Sequence, residues 1–421
     1  MPNQCEYFLE RKNRRCAMQR KKGQHFCSEH SVFESNPKEN GSIEPNPKEA
    51  RIPCPLDPKH SVKLRDLEMH LKKCNARPVE IHQPWYAKDI NAQLNGTIKK
   101  ETKKKLNEKE SLSSDEEVDV LKRLFAVLED YNRKVDPLEK KVQIHEGLDN
   151  WSLKKENKKH VAQQSSLIAA MKEANLLSSE TFYVEFGCGK AELSRMVNAC
   201  VVHDFKQSIN QDNTHQNYGY GLIDRGVNRM KMDNKIVADC EGTPIQPQIK
   251  RSRIDIQHLD LDKFMEPMNY TSIVAISKHL CGAATDLTLK SLLNSTKSQE
   301  CLDGVVVAMC CRHVCDYDQL LPASQDFLAE YDIADSAMFS SLKKIVTWAV
   351  CGKREGQEDN HITGLSYEQR ERLGLIARRL IDESRVVAIN SLLKDHRAEL
   401  FLYAEKETTL ENHCLRITRR G

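Results

Sequence analysis

The sequence predicts an α/β protein, a doubly wound and mostly parallel sheet, preceded by two small metal-binding modules and a helical linker. Three observations predict it. Strand-like and helix-like segments alternate from Thr181 onward. Two complete Cys/His sets lie within the first 75 residues. Between them and the alternating region, a charged run gives way to apolar residues at helical spacing near Val118. Strands separated by helices bury both faces of a sheet, which is the signature of the doubly wound class.

The first module, residues 1–32, carries Cys5-x10-Cys16-x10-Cys27-x2-His30. Zinc takes four soft or borderline ligands in a tetrahedron, and three thiolates with one imidazole supply them. The second, residues 51–78, carries Cys54-x5-His60-x9-His70-x3-Cys74. His70 and Cys74 are four apart in KLRDLEMHLKKC, so a helix presents both on one face. Neither stretch is long enough for a large core, and metal binding supplies the folding free energy such modules lack. All four positions in each are protein atoms, so both sites read as structural. NPKEN and NPKEA (36–40 and 46–50) form an imperfect repeat between them and read as flexible linker.

Residues 97–178 read as charged linker and helices. KKETKKKLNEKESLSSDEE is an exposed run, VDVLKRLFAVLEDY an amphipathic helix, and 151–178 a basic amphipathic helix. The main domain is placed at 179–421. TFYVEFGCG reads as a strand ending in a glycine turn, and KAELSRMVNAC as the helix after it. YGYGLID (218–224), RIDIQHLDL (253–261), TSIVAISKHL (271–280) and GVVVAMC (304–310) read as further strands, with KKIVTWAVCG (343–352) as another. The insert at Lys231–Lys250 reads as a loop, YEQRERLGLIARRLIDESRV as a long helix, and ELFLYAEK (399–406) as the last strand.

The central feature is YVEFGCGKAELS (183–194), where Gly187-x-Gly189 lets the backbone approach a ligand closely. Glu185 stands two residues before the first glycine, as in many S-adenosylmethionine enzymes. The third glycine of a dinucleotide fingerprint is replaced by Glu192, and Ala191 follows Lys190 where a phosphate loop needs Ser or Thr, so a nucleotide hydrolase is disfavoured. Asp224, ending the next strand, is placed to accept hydrogen bonds from ribose hydroxyls. Asp260 is the corresponding candidate for an adenine amino group. Candidate cofactor contacts are thus Glu185, Gly187, Gly189, Lys190, Asp224 and Asp260.

These segments, with LIDR (222–225), SKHLCGAATDLTL (277–289), AMCCRHVCDY (308–317) and TWAVCG (347–352), resemble the eukaryotic tRNA 2′-O-methyltransferase family acting at position 4 of the acceptor stem. The match spans most of the chain in order. The resemblance implies a Rossmann-like class I methyltransferase fold, S-adenosylmethionine as donor, two structural zinc ions and tRNA as partner. Two departures stand out: Ala191 where the family has Gly, and Arg312 where it has His in a Cys-Cys-His-His run.

Methyl transfer to a ribose hydroxyl is an in-line displacement that needs alignment and a route for the hydroxyl proton. Lys278 and His279 follow the predicted fourth strand; either is a candidate to orient or deprotonate the hydroxyl, with Asp286 orienting one of them. Cys310, Cys311, His313 and Cys315 read as a third metal site, a lip over the RNA, or buried thiols. The alternative to an enzyme is a zinc-finger RNA-binding protein with a degenerate methylase-like domain. A zinc deaminase is disfavoured because its His-x-Glu motif is absent. No motif of the kind that holds a planar amine is present, which favours an oxygen acceptor.

The net charge of +3 identifies no partner, but Lys and Arg cluster at Arg11–Lys22, Lys99–Lys105, Lys154–Lys159 and Lys250–Arg253, each a candidate phosphate contact. Fifteen cysteines behind a polar N-terminus suit an intracellular chain with metal-bound or buried thiols. No stretch reaches the roughly 18 apolar residues of a spanning helix. Nucleus and cytoplasm are both compatible, the Lys99–Lys105 run fitting an import signal and an RNA patch alike. The oligomeric state is open.

Overall fold

The computed structural model describes residues 4–9, 14–20, 23–27, 30, 51–74, 83–96, 114–152, 158–207, 217–228, 230–266, 270–350 and 361–420. The NPKEN/NPKEA repeat, the Lys99–Lys105 run and most of Lys154–Lys159 lie outside these residues. The chain divides into two units, Met1–Glu80 and Ile81–Gly421.

In the first unit, β1 (Phe8–Leu9) pairs antiparallel with β2 (Arg14–Arg15), and β3 (Arg51–Cys54) with β4 (Asp57–Lys63). A helix, Leu67–Lys73, follows β4. Among the described residues, the only strongly buried side chains here are the cysteines with Ser61 and Val62. So little apolar burial cannot offset the entropy of ordering, and metal must supply the difference.

The second unit is built on seven strands: β5 (Phe182–Phe186), β6 (Gly219–Asp224), β7 (Gln248–Arg253), β8 (Ile273–Cys281), β9 (Leu302–Cys310), β10 (His396–Leu402) and β11 (His413–Arg419). Their spatial order is β10-β11-β9-β8-β5-β6-β7. β5 to β9 run parallel, and β11 is antiparallel to both β9 and β10. Both faces are covered, and the strands divide their side chains by alternation. Tyr183, Tyr220, Leu222, Val274, Ile276, Val306 and Ala308 face a core shared with helices Lys158–Glu173 and Glu192–Gln207. Phe182, Val184, Phe186, Ile223, Ile273, Ala275, Val305 and Val307 face the opposite core, shared with Ala284–Asn294 and Tyr367–Leu392. Helix Ser114–Lys134 buries Leu121, Leu124 and Leu128 against Leu342, Ile345 and Leu380, so this part of the segment read as linker joins a third core.

Three readings of secondary structure are corrected. Residues 254–261 are not a strand; β7 lies at 248–253, overlapping the end of the segment taken as loop, which also holds helix Asp233–Ala238. β7 pairs only with β6, and an edge strand such as QIKRSR needs no apolar run. Residues 343–348 are the end of helix Ser336–Trp348 rather than a strand, and Asp335 caps that helix through Ala337 N and Met338 N. Phe339, Leu342, Ile345 and Val346 supply its period, which a window starting at 343 truncates. The strand at 396–402 is not the last, because β11 follows it and inserts between β10 and β9.

The chain leaves β5 toward β6 and β7, then returns to the other side of β5 for β8. The switch point therefore lies between β5 and β8, and ligands of doubly wound sheets bind outside the carboxyl ends of the strands at such a point.

Candidate functional site

Both Cys/His sets are gathered. The ligand atoms of Cys5, Cys16, Cys27 and His30 lie within 4.8 Å of one another, as do those of Cys54, His60, His70 and Cys74. His30 Nδ1 stands 3.5 Å from Cys5 Sγ and 3.4 Å from Cys27 Sγ, its ring stacked on Tyr7. In the second set, Cys54 Sγ and Cys74 Sγ are 3.7 Å apart, and His70 Nε2 is 3.2 Å from Cys54 Sγ. A zinc tetrahedron with bonds of about 2.3 Å to sulfur and about 2.0 Å to nitrogen has edges of roughly 3.3–3.8 Å. These separations match such edges. The helix Leu67–Lys73 carries His70 and delivers Cys74 at its end.

At the switch point, Gly187 (φ 65°) and Gly189 (φ 50°) form the turn after β5. A Cβ on Gly187 would lie 2.9 Å from the carbonyl oxygen of His279, so only glycine lets the turn sit against β8. A Cβ on Gly189 would meet nothing within 4 Å; that side of the turn is open. Asp224, at the end of β6, accepts from Gly189 N at 2.7 Å and from Gly226 N at 2.6 Å, fixing its carboxylate beside the turn. Lys190 follows within the turn, its carbonyl accepting from Met232 N. Ala191 is buried at φ 68°, left-handed for a non-glycine, which costs about 1 kcal/mol relative to glycine.

Glu185 is buried on β5. Its Oε2 accepts from Ser194 N at 3.1 Å and Ser194 Oγ at 2.5 Å, tying β5 to helix Glu192–Gln207. Burial pushes its carboxyl up to about 7 against those hydrogen bonds. Arg251 on β7, which sequence reasoning missed, braces the turn from the other side. It donates to Gly189 O at 3.0 Å and Cys188 Sγ at 3.0 Å while gripping Asp233 bidentately.

Lys278 and His279 occupy an irregularity in β8. The register passes from Ser277↔Val307 to Leu280↔Met309, so two residues oppose one, a bulge that re-aims side chains at the strand end. Lys278 Nζ lies 3.1 Å from His160 Nδ1 on helix Lys158–Glu173, a second residue missed by sequence. Burial holds the Lys278 ammonium below its usual range, with Glu192 and Glu185 opposing. His279 reaches solvent, yet partial desolvation, followed by the charges of Lys278 and His160, lowers its imidazole as well.

Two expected site residues lie elsewhere. Asp286 is fully buried and paired bidentately with Arg385 at 2.9 and 2.8 Å, so it orients neither Lys278 nor His279. Arg385 continues through Asp382 to Arg312, which is itself buried and bonded to Asp382 and Glu411. The Arg at 312 thus anchors an internal charge network. Asp260 caps helix Leu261–Met265, accepting from Lys263 N at 3.0 Å. Because β7 ends at Arg253, the carboxylate just past its end is Asp255, 3.8 Å from Arg225.

Fold and site together define a class: a Rossmann-like protein with a glycine turn and a carboxylate beside it at its switch point, accompanied by two zinc-finger modules. Residues 162–418 match the family described as Methyltransferase TRM13, residues 3–31 the CCCH zinc finger in TRM13 protein, and residues 51–75 the U11-48K-like CHHC zinc finger. Proteins named tRNA:m(4)X modification enzyme TRM13 are 50% identical in Scheffersomyces stipitis (96% of this chain, 98% of that protein) and 48% in Debaryomyces hansenii (98% and 91%). The Saccharomyces cerevisiae protein of that name is 33% identical (99% and 96%). The chain belongs to the TRM13 methyltransferase family.

Proposed function

We propose that the chain transfers a methyl group from S-adenosylmethionine to the ribose 2′-hydroxyl of nucleotide 4 in the acceptor stem of tRNA. The observation that carries this reading is the contact between the glycine turn and the β8 bulge. The carbonyl oxygen of His279 lies 2.9 Å from where a Gly187 Cβ would stand, so the glycine turn directly adjoins the bulge that carries Lys278 and His279.

The residues fit a sulfonium nucleoside. The Gly189 face is open, and Asp224 offers carboxylate lone pairs beyond those its two backbone donors use. When bound, the cofactor supplies an electrophilic methyl on a good leaving group. Asp224 would hold the sugar hydroxyls, with Gly187, Gly189 and Lys190 shaping the wall and Glu185 and Arg251 keeping the turn rigid. Above its lowered pKa, His279 is neutral and able to accept the hydroxyl proton. Lys278, steered by His160, places a positive donor beside it for phosphate or the hydroxyl oxygen. The relatives' names support tRNA as the substrate, and the basic segment Lys250–Arg253 adjoins the turn through Arg251.

The test combines the purified chain, tRNA and methyl-labelled S-adenosylmethionine, with nucleoside mass spectrometry of the acceptor stem. A 2′-O-methyl group at position 4 is expected; label on a base, or none, overturns the reading. Asp224→Ala should weaken cofactor binding at least about 100-fold by calorimetry, two charge-assisted hydrogen bonds being lost, with zinc content unchanged. A variant that binds normally removes Asp224 from the site.

A further inference from the structure

A third group of thiols stands at the carboxyl ends of β8 and β9. Sγ of Cys281, Cys310 and Cys311 lie within 4.8 Å of one another, and Cys281 and Cys310 are only 3.3 Å apart. We propose that these three cysteines hold a third zinc ion, distinct from the two finger sites.

The backbone is arranged to gather them. Cys281 and Cys310 are partners in the parallel register of β8 and β9, so their side chains share a face. Cys310 and Cys311 are sequential, and along an extended strand neighbouring side chains point to opposite faces. Cys311 instead adopts φ 50°, a left-handed conformation unusual for a non-glycine, and this kink brings its thiol back to the other two. Strain of this kind persists where the surroundings over-determine it, commonly at sites with a function. The sulfur separation resembles the 3.7 Å between the two cysteines of the CHHC cluster.

Exposure differs from that of the fingers. Cys310 is buried, Cys311 half-buried and Cys281 exposed, so one side of the site opens to solvent. Three thiolates leave one tetrahedral position for water or a further ligand. His313, two residues beyond Cys311, does not belong to the group of ligand atoms within 4.8 Å, so that position falls to solvent or an added ligand. Cys315 does not join; its thiol faces Gly282 O and Arg385. The ion would pin the end of β8, just past the bulge bearing Lys278 and His279, to the end of β9.

The test uses the full chain, purified under reducing conditions, saturated with zinc and desalted, with metal counted per polypeptide by plasma mass spectrometry. About three zinc ions are expected from the ligand sets, falling to about two in Cys281→Ser and to about one in Cys281→Ser with Cys16→Ser. Two ions in the wild-type chain, or an unchanged count in Cys281→Ser, overturns the proposal. Alkylation mapping of the wild-type chain gives a second readout that needs no variant. Cys281, Cys310 and Cys311 should resist iodoacetamide until a chelator is added. Immediate labelling, or a Cys281–Cys310 disulfide in the peptide map, overturns it equally.

Discussion

In the finger clusters, each set of ligands comes from one short stretch: Cys27 and His30 are three residues apart, and the whole first set spans Cys5 to His30. At the switch point, the partners arrive from across the chain. Asp224 meets Gly189 over 35 residues, Arg251 meets the same glycine over 62, and His160 meets Lys278 over 118. The first region is a local structure completed by metal. The second is a packed sheet whose strand ends converge, and its chemistry depends on topology. The comparison teaches where free energy resides: in coordination bonds for the fingers, in core burial and internal charge pairing for the sheet unit.

The largest expected effect separates the two regions directly. Removing zinc with a strong chelator should unfold the finger segments, because structural zinc supplies on the order of 10 kcal/mol to such modules. Hydrogen exchange should then show amides of 51–74 losing all protection. The core strands β5, β6 and β8 should keep theirs, since their stability comes from apolar burial on both faces. Equal loss in both regions would mean that the sheet unit depends on metal as much as the fingers do.

Next in size is the internal charge network of the sheet unit. Arg385 is fully buried between Asp286 and Asp382, and Asp382 also accepts from His413 Nδ1 at 2.7 Å. Arg385→Met leaves Asp286 without its cation in a desolvated site, which typically costs about 3–5 kcal/mol. The double variant Arg385→Met with Asp286→Leu should recover most of that loss, since replacing both members removes the orphaned charge. Denaturant midpoints of the two variants measure it. If the double variant is as unstable as the single one, packing rather than charge is what Arg385 provides.

The same contrast explains what could be read in advance. The finger ligands were legible because spacing alone brings them together, and β5, β6, β8 and β9 because buried parallel strands are continuous apolar runs. The Gly187–Gly189 turn announced itself by its place between strand and helix. β7 was illegible because an edge strand of QIKRSR composition resembles a loop, and with it went the placement of Asp260. Asp286 was misassigned for a related reason. Nothing near it in the sequence reveals that Arg385, 99 residues on, claims its carboxylate. Arg251 and His160 carried no motif at all; only the sheet order and the helix packing make them neighbours of the site.

Glu185 lies between these extremes, its partner Ser194 being nine residues away across the turn. It also gives the smallest and most specific prediction. Its carboxyl stands at about 7 when folded, against 4.5 ordinarily, because burial penalises the charge. Between those values the folded chain holds a proton that the unfolded chain has released. The associated stability is therefore fully present below about pH 4.5 and is lost as pH rises through about 7. Two and a half pH units correspond to a loss on the order of 3 kcal/mol by pH 8. Glu185→Gln keeps an acceptor oxygen for Ser194 but cannot ionise. Its stability, followed by chemical denaturation from pH 5 to pH 8, should lack the wild-type decline and exceed the wild-type value at the alkaline end. Parallel pH profiles for the two proteins would mean that Glu185 is already ionised and held by Ser194, and that the turn is braced by a buried carboxylate instead.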